Sequence, residues 1–364
     1  MQRAQSIVLH LSLIEEVGPL VCAALIQAFG HDLAHLYEMD AHTLHIRAGI
    51  PLVRAERVVA GLADKIMLER ELTLLEKDSE TQLVTIIDPE YPTLLSAIHA
   101  PPTVLYYRGS LGILQKTLAF VGSRNADTYG QQVVDSLVPA VVQEGFATVS
   151  GGALGIDGMV HRITLQQGGK TVAILGSGLH QPYPAAHKGL FKEIPFSGGL
   201  VMSAFPLLMQ PLPRNFPARN RIIAGLAPAT LVIQAARKSG ALITAHYALE
   251  QGREVGVVPG SIFNELSAGC HDLLAQGARG ITCPDDIYEL IGYASNSGAK
   301  PKSSPKKREI AQDPLLSLCI TPKSTDELLL KAGYTYDQLQ ERLWQLQIEG
   351  KLEQNMLGMW HVLE

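Results

Sequence analysis

Six short segments carry residue types suited to holding a phosphate. The first, Val121-Gly122-Ser123-Arg124-Asn125, closes an apolar run. A glycine at a strand end lets the backbone approach a ligand, and the following amides and hydroxyl donate to a phosphate at a helix start. Arg124 adds a charge-assisted, bidentate contact. The second, Ser150-Gly151-Gly152-Ala153-Leu154-Gly155-Ile156-Asp157, also opens a helix. It lacks the G-x-G-x-x-G spacing of a dinucleotide fingerprint, so NAD is not expected. Asp157 reads equally as a site group or as a helix-start charge favoured by the macrodipole. The third combines Gly176-Ser177-Gly178 with Tyr183-Pro184 and Lys188, a phosphate contact or a surface lysine. The fourth is the most distinctive: Arg214, Asn215, Phe216, Arg219, Asn220 and Arg221 fall within eight residues with no carboxylate near them. Unpaired arginines are costly to bury, so these are expected to face an anion, with Phe216 offering either a stacking face for a base or a core contact. The fifth, Arg237-Lys238-Ser239-Gly240-Ala241-Leu242-Ile243-Thr244, supplies donors at another helix start through Ser239, Gly240 and Thr244. The sixth is the turn Val258-Pro259-Gly260-Ser261.

The groups that would transform a phosphate are missing. There is no G-x-x-x-x-G-K-[ST] loop, no G-x-S-x-G elbow and no metal-spaced cluster. Carboxylates are scarce around the glycine loops, which argues against a two-metal nuclease. The expectation is a polyanion-binding face with no catalytic residue, metal or cofactor. The formal net charge of −5 hides a segregation. Residues 1–112 hold 8 basic and 14 acidic side chains, whereas residues 158–249 hold nine Lys/Arg and the single acid Glu193. A one-signed stretch is the footprint of an anion-binding surface.

These loops need a scaffold that gathers them. Apolar runs at Thr117–Val121, Ala147–Val149, Thr171–Leu175, Leu200–Ala204, Thr230–Ile233, Val255–Val258 and Gly280–Thr282 alternate with helix-length segments. Continuous apolar strands joined by helical crossovers predict a doubly wound, mostly parallel α/β sheet, which binds ligands at the carboxyl ends of its strands. Residues 1–77 read as a helical domain of helix, glycine turn, helix units, similar to SAM-like or helix–hairpin–helix domains. Its acidity favours interaction or scaffolding over DNA contact. Residues 78–292 form the α/β domain and 293–308 a Ser-, Pro- and Lys-rich linker. Residues 309–364 read as three helices (Pro314–Ile320, Ser324–Ala332, Tyr336–Glu349) and two short strands, a winged-helix pattern. Its third helix places Leu339, Leu343, Leu346 and Ile348 toward a core and carries Asp337, Glu341 and Glu349 against Arg342. That field suits a protein partner better than duplex phosphate. No apolar run reaches the ~18 residues of a membrane span. With four scattered cysteines and no secretion signal, the expected location is cytoplasmic, without membrane insertion.

The order of motifs is more specific than any one of them. Val-Gly-Ser-Arg, Ser-Gly-Gly-Ala-x-Gly-Ile-Asp, Leu-Gly-x-Gly with Tyr-Pro, Phe-Pro-x-Arg-Asn-Arg-Ile-Ile-Ala-Gly-Leu, Ser-Gly-Ala-Leu-Ile-Thr-Ala and Val-Pro-Gly follow one another. The sequence closely resembles the DNA-processing protein A family (DprA, also called Smf), over roughly residues 80–292. The resemblance implies an extended Rossmann-like domain that binds single-stranded DNA without cutting it. It also implies a homodimer that protects incoming strands in natural transformation and helps load the RecA recombinase. By motif position, it carries the DNA pocket onto Gly122, Ser123, Arg124, Lys188 and Arg214, with Arg219 and Arg221 nearby. Two departures stand out. Ala204 follows Ser203 where the family often has glutamate, and Gln234 stands in Ile233-Gln234-Ala235 where the family often has Val-Glu-Ala. Both remove a negative charge near strand ends.

Two rivals are carried alongside. Rossmann-like nucleotide phosphoribohydrolases of the LOG group use a related glycine turn, and the counterpart here is Lys238–Tyr247. Thr244 is kept, but Tyr247 takes the catalytic glutamate's place. The other rival is a regulator that binds duplex DNA through the winged helix.

Overall fold

A computed structural model describes residues 3–30, 32–294, 314–319, 322–349, 351–354 and 358–362. Most of the expected linker, together with Ile320, Gly350 and the side chain of Ile348, falls outside the described residues. The chain divides into two compact units, Met1–Ser297 and Gly298–Glu364.

The first unit opens with helices α1 (Arg3–Leu13), α2 (Pro19–Phe29), α3 (Ala41–Ala48), α4 (Leu52–Ala63) and α5 (Ile66–Lys77). Gly18-Pro19 starts α2, and Gly49 closes α3 in the left-handed region. The strands are β1 (Gln82–Thr85), β2 (Val104–Gly109), β3 (Thr117–Val121), β4 (Ala147–Ser150), β5 (Thr171–Ile174), β6 (Leu200–Ser203), β7 (Ala229–Val232), β8 (Glu254–Val257) and β9 (Arg279–Gly280). They form one sheet in the order β1-β2-β6-β5-β4-β3-β7-β8-β9. From β6 to β9 every pairing is parallel, while β1 and β2 add to the β6 edge antiparallel. This is the mostly parallel α/β sheet that the apolar runs predict. β1 and β2 were not foreseen as strands; β1 is a four-residue edge strand, whereas β2 is a six-residue strand paired on both sides.

The crossover helices are α7 (Thr128–Gln143), α8 (Ile156–Gln166), α9 (Lys188–Phe196), α10 (Asn215–Gly225), α11 (Gly240–Glu250) and α12 (Ala268–Ala275), while α6 (Thr93–Ser96) lies between β1 and β2 and α13 (Pro284–Leu290) follows β9. Side chains alternate across each strand. Leu118 and Phe120 pack toward α7 and α8, whereas Ala119 and Val121 pack toward α10 and α11. The chain walks outward from β3 through β4 and β5 to β6, then returns to β7 on the other side of β3. The right-handed rule for parallel crossovers then requires helices on both faces. Helices α1–α5 pack with α9 against Ala173, Leu175, Val104, Tyr106 and Val201 in one continuous core. They therefore share a unit with the sheet.

The second unit contains α14 (Pro314–Leu318), α15 (Thr325–Ala332) and α16 (Tyr336–Ile348), then the antiparallel pair β10 (Leu352–Gln354) and β11 (Trp360–Val362). Ser324 with Glu327, and Thr335 with Gln338, form capping boxes that start α15 and α16. Leu328, Leu339, Leu343, Leu346, Leu352 and Trp360 are buried together.

Candidate functional site

The strand order reverses between β3 and β7, and in open α/β sheets a crevice opens outside the carboxyl ends at such a switch point. Here it is a cleft of about 670 Å³, lined by the segment after β3, the start of α8, the start of α10 and the segment leading into α11. The β3 segment is held from behind. The Ser123 amide donates to the Gln234 carbonyl at 2.7 Å, and the Ile156 amide to the Ser123 carbonyl at 3.1 Å. At Gly122, a Cβ would press on Ile156 Cγ1 at 2.5 Å. Gly155 has φ +73°, and a Cβ there would meet the carbonyls of Ser123 and Arg124. These two glycines allow the second loop to lie under the first.

Arg124 is exposed, 5.6 Å over the Phe216 ring, and among the described residues no ion pair holds it or Lys238. Phe216 is half-buried and meets the Tyr183 ring at 5.9 Å. Ser239 caps α11, its hydroxyl accepting from the Ala241 amide at 3.3 Å. Asn220 Nδ2 donates to the Gly240 carbonyl at 3.2 Å and joins α10 to that cap. The cleft thus combines a strand-end loop, the open donors of a helix start, two unpaired cations and an aromatic face. Its one buried carboxylate is Asp157, which accepts from the Ala153 amide at 3.2 Å. Burial pushes Asp157 up from the usual carboxylate range, while the neighbouring Arg219 opposes that shift.

Of the residues singled out from the sequence, Gly122, Ser123, Arg124, Phe216, Arg219, Asn220, Ser239, Gly240 and Thr244 line this cleft. The others do not. Ser150 is buried and its hydroxyl donates to the Phe120 carbonyl at 2.7 Å. The Gly151 carbonyl accepts from Arg219, and the Gly152 carbonyl faces His187 Nδ1 at 2.9 Å. Asn215 is buried and donates to the Gln210 carbonyl at 3.3 Å. Arg214 is exposed beside Pro213, which does line the cleft. Lys188 lines a separate cavity of about 430 Å³ with Arg108, His180 and Lys192. There Asp78 Oδ2 accepts from Arg108 Nη2 at 2.8 Å and His180 Nε2 at 2.7 Å. Burial alone would raise Asp78, but Thr81, His180 and Arg108 around it hold its carboxyl well below the usual range.

The arginine cluster needs a correction. Arg219 is 4% exposed and donates to the Gly151 carbonyl and, at 2.6 Å, to the Ile174 carbonyl. Burial pulls its guanidinium down to about 10, so it stays charged at neutral pH. Arg221 donates to the carbonyls of His99 (2.9 Å) and Ala100 (2.6 Å), away from the cleft. Residues two apart on a helix point roughly 200° apart, so these two cannot face one ligand together. Main-chain oxygens take the place of the expected anion. Lys238 was not singled out, although it stood in the quoted motif; only the return of the chain to β7 brings it to the same cleft as Arg124.

A family model for the DNA recombination-mediator protein A matches residues 82–292, which span β1 to the end of α13. The chain belongs to this family. The DNA processing protein DprA of Bacillus subtilis (strain 168) is 39% identical over 57% of this chain and 70% of its own length. The protein Smf of Escherichia coli (strain K12) is 38% identical over 73% and 72%. The solved structure of DNA processing protein A from Streptococcus pneumoniae superposes with a TM-score of 0.68 at 33% identity, covering 79% of this chain and 98% of that one. A solved structure describing the single-stranded DNA binding mode of DNA processing protein A from Helicobacter pylori gives 0.53 at 28% identity, covering 58% and 98%. The recombination-mediator family match contains all of the cleft.

Proposed function

We propose that the protein binds single-stranded DNA in the β3/β7 cleft without cutting it, and passes the strand to the RecA recombinase. The observation that carries this reading is the pairing of Arg124 and Lys238, both without ion-pair partners among the described residues, with Phe216 and the start of α11. Such a site grips phosphates electrostatically and offers a base a face to stack on. Nothing in the cleft is placed as a general base. Asp157 accepts from the Ala153 amide and lies in the field of Arg219, and Tyr247, at the position of the LOG-type catalytic glutamate, packs against the core. Protection of incoming strands in transformation, a homodimeric state and a cytoplasmic location complete the proposal, on the strength of the family. The second unit is read as a winged helix for a protein partner, because α16 carries Asp337 and Glu341.

Fluorescence anisotropy of a labelled oligonucleotide, single-stranded against duplex over a salt series, tests the reading. Strong single-strand preference with a steep salt slope is the expected result. Equal binding to duplex, or release of base from a nucleoside monophosphate, would overturn it.

A further inference from the structure

The segment after β8 presents two large apolar side chains to solvent, Ile262 at 80% and Phe263 at 92% exposure. The loop that carries them is held in place. Asn264 Nδ2 donates to Asp127 Oδ2 at 2.9 Å, and Asp127 caps α7 directly after the Arg124 loop. The Asn264 Oδ1 accepts from the Leu266 amide at 2.9 Å, Ser261 Oγ accepts from the Phe263 amide at 3.2 Å, and the Gly260 carbonyl faces His271 Nε2 at 3.0 Å. Leu266, on the same loop, lines the cleft with Arg124 and Lys238. A fixed loop that exposes an aromatic ring beside a cationic cleft holds apolar surface ready for an apolar ligand. The neighbouring Glu265 is exposed and repels phosphate, so the tip suits bases while the cations take the backbone.

We infer that Ile262 and Phe263 form a stacking tip for the bases of a strand whose phosphates lie in the cleft. This rests on the single-strand reading above. Only unpaired bases have a free face, so the tip would supply part of the preference for single strands over duplex.

The test uses the full chain and labelled oligothymidylate, intact or carrying a run of abasic sites. Wild-type binding is measured first; if there is none, the reading of the cleft falls and the tip with it. Given wild-type binding, Phe263→Ala should weaken the intact strand about tenfold, as loss of one stacked base does. Phe263→Trp should retain affinity, and the salt slope should not change, because no phosphate contact is removed. On the abasic strand the wild type and Phe263→Ala should bind alike. The tip is refuted, and the cleft reading left standing, if Phe263→Ala binds the intact strand like wild type or loses equally on the abasic strand. It is also refuted if light scattering shows the variant breaking up an assembly of this chain while DNA affinity holds. A side chain so exposed contributes little to the core, so the variant is expected to melt with the wild type.

Discussion

Arg219 donates to two main-chain oxygens inside the domain, whereas Arg124 reaches solvent with only an aromatic ring beneath it. The same side-chain type therefore predicts opposite mutational signatures. Arg124→Ala should leave the unfolding midpoint within about 0.5 kcal/mol of wild type. In anisotropy titrations it should weaken all single-stranded sequences alike and lower the slope of log affinity against log salt by about 0.7, the share of one phosphate contact. An unchanged affinity would remove Arg124 from the site. Arg219→Ala strands the buried Gly151 and Ile174 carbonyls and removes the positive charge near Asp157, and a buried polar group left without its partner costs about 1–3 kcal/mol. Urea unfolding would show the loss, and the binding defect would follow stability. The motif reveals that arginines matter in Arg219-Asn220-Arg221, but not which way each points. Gln234 is a further case. Its Nε2 donates to Asp127 Oδ1 at 2.8 Å, so the glutamate common in the family would set two carboxylates side by side here.

At the level of elements, the two glycine loops stack because Gly155 adopts φ +73° beneath the Ser123 and Arg124 carbonyls. Gly155→Ala forces a side chain into a left-handed conformation with no room for it, a strain of about 1–3 kcal/mol before any clash. The expected outcome is a lower melting temperature together with weaker DNA binding, since the loop bearing Arg124 must shift; a variant that melts and binds like wild type would refute the stacking argument. One helix start was legible from its cap: the Ser324/Glu327 pair lies where the capping pattern places it, while Ser239, read from the sequence only as part of a polar glycine turn, proves to cap α11. α10 starts at Asn215 and runs through Pro217. A proline in the first turn gives up no hydrogen bond, so the helix runs through it.

For the whole first unit, a polar chain is sealed under α8. His161 Nδ1 lies 2.7 Å from Thr171 Oγ1, which contacts Thr148 Oγ1 at 2.7 Å, and His161 is fully buried. Burial, with His187, Arg219 and Arg162 nearby, pulls the imidazole down to about 3. An unfolded histidine titrates near 6.5, so between about pH 6.5 and 3 the unfolded chain binds the extra proton. This group's contribution is therefore intact above about pH 6.5 and is lost as pH falls, at about 1.4 kcal/mol per pH unit. Urea midpoints from about pH 7 to 4 should fall more steeply for wild type than for His161→Gln; equal slopes would place the histidine in contact with solvent. The sequence by itself determined the mostly parallel α/β class, the Ser324/Glu327 capping box and the family, since each rests on local pattern or motif order. Only the tertiary structure decided which loops share a cleft. The reversal of strand order between β3 and β7 brings Lys238 into one cleft with Arg124, while Lys188, beyond β5 and on α9, lines a different cavity. Burial then turned Ser150, Asn215 and Arg219 toward main-chain carbonyls, because a polar group taken out of water must find a partner wherever packing puts one.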